Sequence, residues 1–221
     1  MPVLGRPLLD YWLKLLDRGP VPSQVWVNTF YLSEQVQTFL RASNAAYPQL
    51  SIEITTESKL LGTAGTLIEL LPKLKPEQDL LLVHADNLSW FSLEAFLNAH
   101  RQRPGGTELT MMTFETDAPQ SCGIVETDER DVLKAFHEKV ENPPSNMANG
   151  AVYFISPEGL AHIRELGNVH DFSTEVVPAF LEKIYCWQNT TYHRDIGNPM
   201  AYKIAHREFR PVAEHYELDK P

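Results

Sequence analysis

Hydrophobic positions recur at helical spacing over Leu8, Trp12, Leu15 and Leu16, so the chain opens on an amphipathic helix that Gly19-Pro20 ends. The short apolar run Val25-Trp26-Val27-Asn28 predicts a buried strand. Val36, Phe39 and Leu40 mark a second helix with Ser33 as its N-cap, and Ser51 to Ile54 a second strand. A third helix begins near Gly65, carries Leu67, Ile68, Leu70 and Leu71, and stops at Pro72. Leu80-Leu81-Leu82-Val83 is apolar on both faces, the pattern of a central strand in a parallel sheet. Ser92 to Arg101 reads as a helix and Leu109 to Phe114 as a strand. Alternating strands and helices predict an α/β fold, a parallel sheet covered by helices on both faces.

After Cys122 the pattern changes. Gly123-Ile124-Val125-Glu126 and Val132 to Phe136 flank the polar stretch Thr127 to Asp131, which predicts a β-hairpin. Ala151 to Ile155 and Ile184 to Trp187 read as strands, and Pro157 to Glu165, Ser173 to Glu182 and Pro199 to Glu208 as helices. The length of 221 residues points to one domain over 1–221, with a polar tail over 209–221 that is expected to be loose from Pro211 onward.

Composition narrows the partners. The net charge is -10 with His neutral, and the basic residues are scattered, which argues against nucleic acid, whose binding needs clustered Lys and Arg to displace counterions. No apolar run approaches the ~20 residues of a membrane helix, and the first residues lack the charged and apolar regions of a secretory signal. The expected setting is cytoplasmic, with no membrane partner. Cys122 and Cys186 form no Cys-x-x-Cys pair, and the His residues show no metal-ligand spacing.

Five places could carry chemistry. Asp86 follows an apolar strand, where α/β sheets bind ligands, and a carboxylate there suits a hard cation held against phosphates. Asp195, in His193-Arg194-Asp195-Ile196-Gly197-Asn198-Pro199, could be a second carboxylate on that ion. Its likeness to a kinase catalytic loop fails, because the Asn that such a loop requires is Met200. Leu61-Gly62-Thr63-Ala64-Gly65 leads into a helix, so its backbone N–H groups could meet a ligand, although Gly-Lys-Ser/Thr is missing. Glu138-Lys139 offers an acceptor and a mobile positive charge, and Asn149-Gly150 an amide with a close backbone approach. Each also has an ordinary reading as a loop carboxylate, a turn or a solvated pair.

The order of these segments resembles the sugar-1-phosphate nucleotidyltransferases, in particular the mannose-1-phosphate guanylyltransferase-like branch. Pro2-Val3-Leu4-Gly5-Arg6-Pro7-Leu8-Leu9 is similar to the segment that follows that family's Pro-Lys-Pro motif, and Asp195-Ile196-Gly197-Asn198-Pro199 resembles its Asp-x-Gly-Thr-Pro motif. Val140 after Glu138-Lys139 and Asn198 after Gly197 depart from the family pattern. The resemblance implies a Rossmann-like (GT-A-like), mostly parallel sheet with a β-hairpin sugar-binding subdomain. It implies joining a nucleoside triphosphate to a sugar 1-phosphate, with release of pyrophosphate. In that reading Asp86 and Asp195 hold Mg²⁺, Gly62, Thr63 and Gly65 face the nucleotide, Glu138, Asn149 and Gly150 orient the sugar, and Lys139 is the catalytic clamp on its phosphate. The family's Gly-rich Gly-Thr-Arg loop and Pro-Lys-Pro lysine are not in the sequence. The expectation is therefore a start upstream of Met1, and little or no activity from the chain as given. A non-catalytic sugar-phosphate-binding module and a glycosyltransferase of related fold stay open as alternatives, the second disfavoured because Asp86 is followed by Asn87-Leu88 rather than Asp-x-Asp. The nucleobase, the sugar and homo-oligomerisation are left open.

Overall fold

The computed structural model describes residues 2–21, 23–75 and 77–218. In chain order the elements are β1 (Pro2–Val3), β2 (Arg6–Pro7), α1 (Leu8–Asp17), β3 (Ser23–Thr29), α2 (Ser33–Ser43), β4 (Leu50–Thr56), α3 (Thr63–Leu70), β5 (Leu80–Val83) and β6 (Asn87–Trp90). There follow α4 (Leu93–Arg101), β7 (Leu109–Glu115), β8 (Gly123–Thr127), β9 (Leu133–Glu138), β10 (Met147–Ile155), α5 (Pro157–Glu165), α6 (Val177–Ala179), β11 (Ile184–Gln188), β12 (Tyr192–Asp195) and α7 (Pro199–His215). Where one domain is expected, the chain forms two compact units. The first is Met1–Leu60, Ala85–Glu94 and Thr191–Pro221, and the second is Leu61–His84 and Ala95–Thr190.

In the first unit, β3 and β4 pair in parallel from Ser23↔Leu50 to Thr29↔Thr56, and β12 pairs antiparallel with β6. The apolar stripe of α1 buries Leu8, Tyr11, Trp12, Leu15 and Leu16. Asp10 is buried on the same helix but not unpaired: Arg6 donates to its carboxylate at 2.9 Å, and the Tyr47 hydroxyl donates to its other oxygen. Ser33 is not the N-cap of α2. Leu32 holds that position in a left-handed conformation without a side-chain cap, while the Ser33 hydroxyl bonds Thr29 at 2.9 Å. The last helix reaches past the expected stop. Asn198 caps α7 by accepting from the N–H groups of Met200 and Ala201 at 3.0 and 2.9 Å, and Pro199 supplies a preset first turn. Buried Phe209 and Ala213 carry the helix through Pro211 to His215, and Leu218 is buried beyond it. The tail expected to be loose is thus anchored by apolar burial over its described part.

In the second unit the sheet runs β11-β7-β10-β8-β9, with β5 also pairing β10. The β11–β7 pairing is parallel and β10 runs antiparallel to β5, β7 and β8. Leu80 to Val83 therefore does not take the expected central parallel position. Among the described residues β5 pairs only with β10, antiparallel, and its side chains are half-buried. An apolar run reports a strand but not its neighbours, since pairing depends on residues far along the chain. The core gathers Leu67, Leu109, Met111, Tyr153, Ile163, Phe172 and Phe180. The expected helix over Ser173 to Glu182 is a π-turn, Phe172–Val176, running into the short α6. Among the described residues no helix is long and apolar enough to cross a membrane.

Candidate functional site

In the first unit, the β6–β12 ladder sets Asp195 opposite Asn87, the residue after Asp86. Asp86, just before β6, and Asp195, at the end of β12, lie 109 positions apart in sequence yet come to one end of the same two-stranded ladder, and both are exposed. Asp195 closes a tight turn: the Gly197 N–H donates to its Oδ1 at 2.7 Å. A Cβ on Gly197 would sit 3.0 Å from that oxygen, so only glycine lets the turn close without moving the carboxylate. Two residues earlier, burial pushes the His193 imidazole down to about 3, leaving it neutral. Among the described residues no group of three or more His, Cys, Asp or Glu converges as a ligand set. The donors here are carboxylates of the kind Mg²⁺ uses, since that ion is commonly held by one or two carboxylates together with substrate phosphates and water.

The second unit assembles the remaining candidates. Glu138 ends β9 directly opposite Gly123 on β8. A Cβ at Gly123 would fall 2.6 Å from the Glu138 carboxylate and 2.3 Å from the Phe136 ring, so this glycine makes the room in which Glu138 lies. Lys139 follows in a left-handed conformation (φ +50°), its N–H donating to the Cys122 carbonyl at 3.1 Å. Its exposed ammonium lies 3.6 Å from Glu138, an ion pair too weak to lock the side chain.

Asn149 and Gly150 occupy a register shift of β10 between Asn149 and Tyr153. The left-handed residue in the bulge is Ala151 (φ +53°), a conformation that costs a non-glycine residue ~1–2 kcal/mol and persists where surrounding contacts over-determine it. Asn149 supplies two such contacts: its Oδ1 accepts from the Ala151 N–H at 2.9 Å, and its Nδ2 donates to the Tyr153 hydroxyl at 2.6 Å. The Ala151 carbonyl accepts from the His84 N–H at 3.1 Å. Burial, with the nearby charges of Glu138 and Asp171, pushes the Tyr153 hydroxyl well above the usual tyrosine range, against the lowering effect of bonds from Asn149 and Ser173. Asn149 and Tyr153 are thus hydrogen-bonded to each other, and the charges of Glu138 and Asp171 bear on the same hydroxyl.

The loop Leu61 to Gly65 is turned toward the chain itself. Gly62 is left-handed (φ +81°), and a Cβ there would meet the His170 carbonyl at 2.3 Å. That carbonyl accepts from the N–H groups of Ala64 and Gly65 at 3.0 and 3.5 Å, and the His170 ring donates to the Leu61 carbonyl. The Thr63 hydroxyl accepts from the Phe172 N–H at 2.8 Å and faces Asp171 at 3.4 Å. Glu175 accepts from the N–H groups of His170 and Asp171, both at 2.6 Å. Burial alone would raise the Asp171 pKa, but bonds from the Thr174 N–H and hydroxyl, the Ser173 N–H and the His84 charge hold it below the usual range. The helix-start amides and hydroxyl expected to meet a ligand are engaged by residues 170–172, so they make this loop a socket for the π-turn.

Tyr153, Asp171, Ser173, His170 and His84 were not identified from sequence. Period-two spacing puts Asn149 and Tyr153 on one strand face, a signal that could have found the tyrosine. Nothing local links Thr63 to Phe172.

A family model described as nucleotidyl transferase matches residues 1–210. The mannose-1-phosphate guanylyltransferase of Mycobacterium tuberculosis is 29% identical over 203 residues, covering 90% of this chain and 55% of that protein. The mannose-1-phosphate guanylyltransferase catalytic subunit beta of Drosophila pseudoobscura pseudoobscura is 29% identical over 202 residues, covering 88% and 52%. The chain thus spans about half the length of these curated relatives. The crystal structure of HddC from Yersinia pseudotuberculosis superposes with a TM-score of 0.77 at 17% identity, covering 95% of this chain and 88% of that one. The HddC complex with GMP-PN gives 0.76 at 16% identity, with the same coverage. At these identities the likeness establishes the fold, a Rossmann-like (GT-A-like) α/β architecture.

Proposed function

Because the chain belongs to the nucleotidyl transferase family, we propose that it carries out, or forms part of a protein that carries out, the joining of a nucleoside triphosphate to a sugar 1-phosphate with release of pyrophosphate. The sugar-phosphate oxygen attacks the α-phosphorus, a P–O bond forms there, and the bond to the leaving pyrophosphate breaks. Two anions must meet, so the work of the chain is positioning and charge neutralisation. The observation that carries this reading is the hydrogen-bonded pair Asn149–Tyr153 on β10 together with Glu138 at the end of β9 and the exposed, unlocked ammonium of Lys139. A carboxylate and an amide recognise hydroxyls, and a mobile cation recognises a phosphate.

In this reading Lys139 clamps the sugar phosphate, Glu138 and Asn149 orient the sugar, and Gly150 gives clearance in the bulge. Gly62, Thr63 and Gly65 shape the nucleotide side by holding their loop rigid against residues 170–172. Asp86 and Asp195 would hold Mg²⁺, which supplies positive charge to the phosphates when bound. The cytoplasm, where nucleoside triphosphates are available, is the proposed setting.

Pyrophosphate release tests the proposal, with GTP and mannose 1-phosphate heading the panel because two relatives above are named mannose-1-phosphate guanylyltransferases, and other nucleotides and hexose 1-phosphates following. It is run on this chain and on its longest in-frame version. No turnover by either, together with no binding of any sugar 1-phosphate, would overturn the reading. Binding without turnover by both would favour the sugar-phosphate-binding module.

A further inference from the structure

Asn149 carries an amide whose orientation is forced by its partners. The Ala151 N–H can only donate, so the atom 2.9 Å from it is the carbonyl Oδ1. The other end is then the NH₂ group, also an obligate donor, and it lies 2.6 Å from the Tyr153 hydroxyl oxygen. Tyr153 therefore accepts from Asn149. Its ring rests against Phe172, which opens the π-turn Phe172–Val176. That turn is pinned by the Thr63 hydroxyl to the Phe172 N–H and by the Asp171 carboxylate to the Thr174 N–H, each at 2.8 Å. The Tyr153 ring is fully buried and packs on Phe172 with centroids 4.5 Å apart. A phenol so enclosed cannot swing, so it fixes the plane of the amide bonded to it.

We propose that Tyr153 is a positioning residue for sugar recognition: its hydroxyl, on a ring fixed by burial against Phe172, sets the Asn149 amide so that one N–H and one carbonyl lone pair are ready for the hydroxyl groups of a hexose 1-phosphate. The inference rests on the reading of this unit as the sugar-1-phosphate half of the site. Tyr153 acts only through Asn149, and a fixed amide binds better because its ordering is complete before the sugar arrives. The phosphate of the same ligand is the business of Lys139, so a free phosphate ion should not sense the change.

The test uses the chain as it stands, with mannose 1-phosphate and inorganic phosphate titrated by calorimetry into wild type, Y153F and N149A. Y153F keeps the ring and removes only the oxygen; N149A removes the amide itself, and urea unfolding of both variants guards against a folding defect. The expected result is about tenfold weaker binding of mannose 1-phosphate by Y153F, equivalent to ~1.4 kcal/mol, a loss at least as large for N149A, and phosphate affinity unchanged within about twofold. The Asn149 side-chain amide signals, assigned by their disappearance in N149A, should move in the ¹⁵N spectrum of ligand-free Y153F. Unmoved signals, equal sugar-phosphate affinity in wild type and Y153F, or an equal loss for both ligands would overturn the inference and leave the proposed function standing. Failure of the wild type to bind any hexose 1-phosphate would overturn both.

Discussion

Acid should destabilise the second unit through His100. This imidazole on α4 is fully buried, its Nδ1 2.8 Å from the Thr110 hydroxyl, its Nε2 3.5 Å from the Asp79 carboxylate, and its ring stacked on Phe154. Burial, then the charges of Arg103 and Arg101, lower its pKa from 6.5 to about 4, against the opposing pull of Asp79. Between those values the unfolded chain binds the proton and the folded one does not, so stability rises with pH and is lost as pH falls through the window. The full shift is worth ~3 kcal/mol, reached below pH ~4, and ~2 kcal/mol is already lost at pH ~5. Urea unfolding of wild type and H100Q at pH 7, 6 and 5 measures it. Gln offers Thr110 a polar partner but does not titrate, and the similarly lowered His193 is common to both proteins, so it cancels. The stability gap between the two should narrow by ~2 kcal/mol from pH 7 to pH 5. Parallel pH profiles would refute the assignment of a neutral buried imidazole to this position.

Three substitutions probe the site. G197A puts a Cβ 3.0 Å from Asp195 Oδ1 and should weaken Mn²⁺ binding, followed by paramagnetic relaxation as a probe for Mg²⁺, by about tenfold; unchanged affinity would count against Asp195 as a ligand. G62A combines a left-handed φ with a Cβ 2.3 Å from the His170 carbonyl and should cost ~2–4 kcal/mol in urea unfolding; a loss under ~1 kcal/mol would mean the socket is soft. K139A removes an exposed side chain held, among the described residues, only by a 3.6 Å contact, so stability should hold within ~0.5 kcal/mol while calorimetry shows mannose 1-phosphate binding about tenfold weaker; a large stability loss would make Lys139 structural.

Local chemistry was legible where it acts over a few residues. The apolar stripe of α1, the hairpin β8–β9, the bounds of α5 and the ordered motifs that carry the family resemblance all depend on near neighbours and short-range periodicity, which a linear chain displays directly. The same motifs marked Asp86, Asp195, Glu138, Lys139 and Asn149 as candidates. Their physical surroundings were not legible. That β5 pairs antiparallel with β10, that Asp195 stands opposite Asn87, and that Thr63 seats a turn more than a hundred residues away are pairings between distant segments, and no local propensity encodes a partner. The tail beyond Pro211 looked polar because Glu214, His215, Glu217, Asp219 and Lys220 crowd it, yet Ala213 and Leu218 are buried. Most telling is Tyr153: as a residue it is an ordinary apolar strand position, and only the bulge at Ala151 and the π-turn from Phe172 make its hydroxyl the group that orients an amide. Residue types determined which chemistries were available, while the tertiary fold decided which donors meet which acceptors, because a hydrogen bond forms only within a few tenths of an ångström of its preferred geometry.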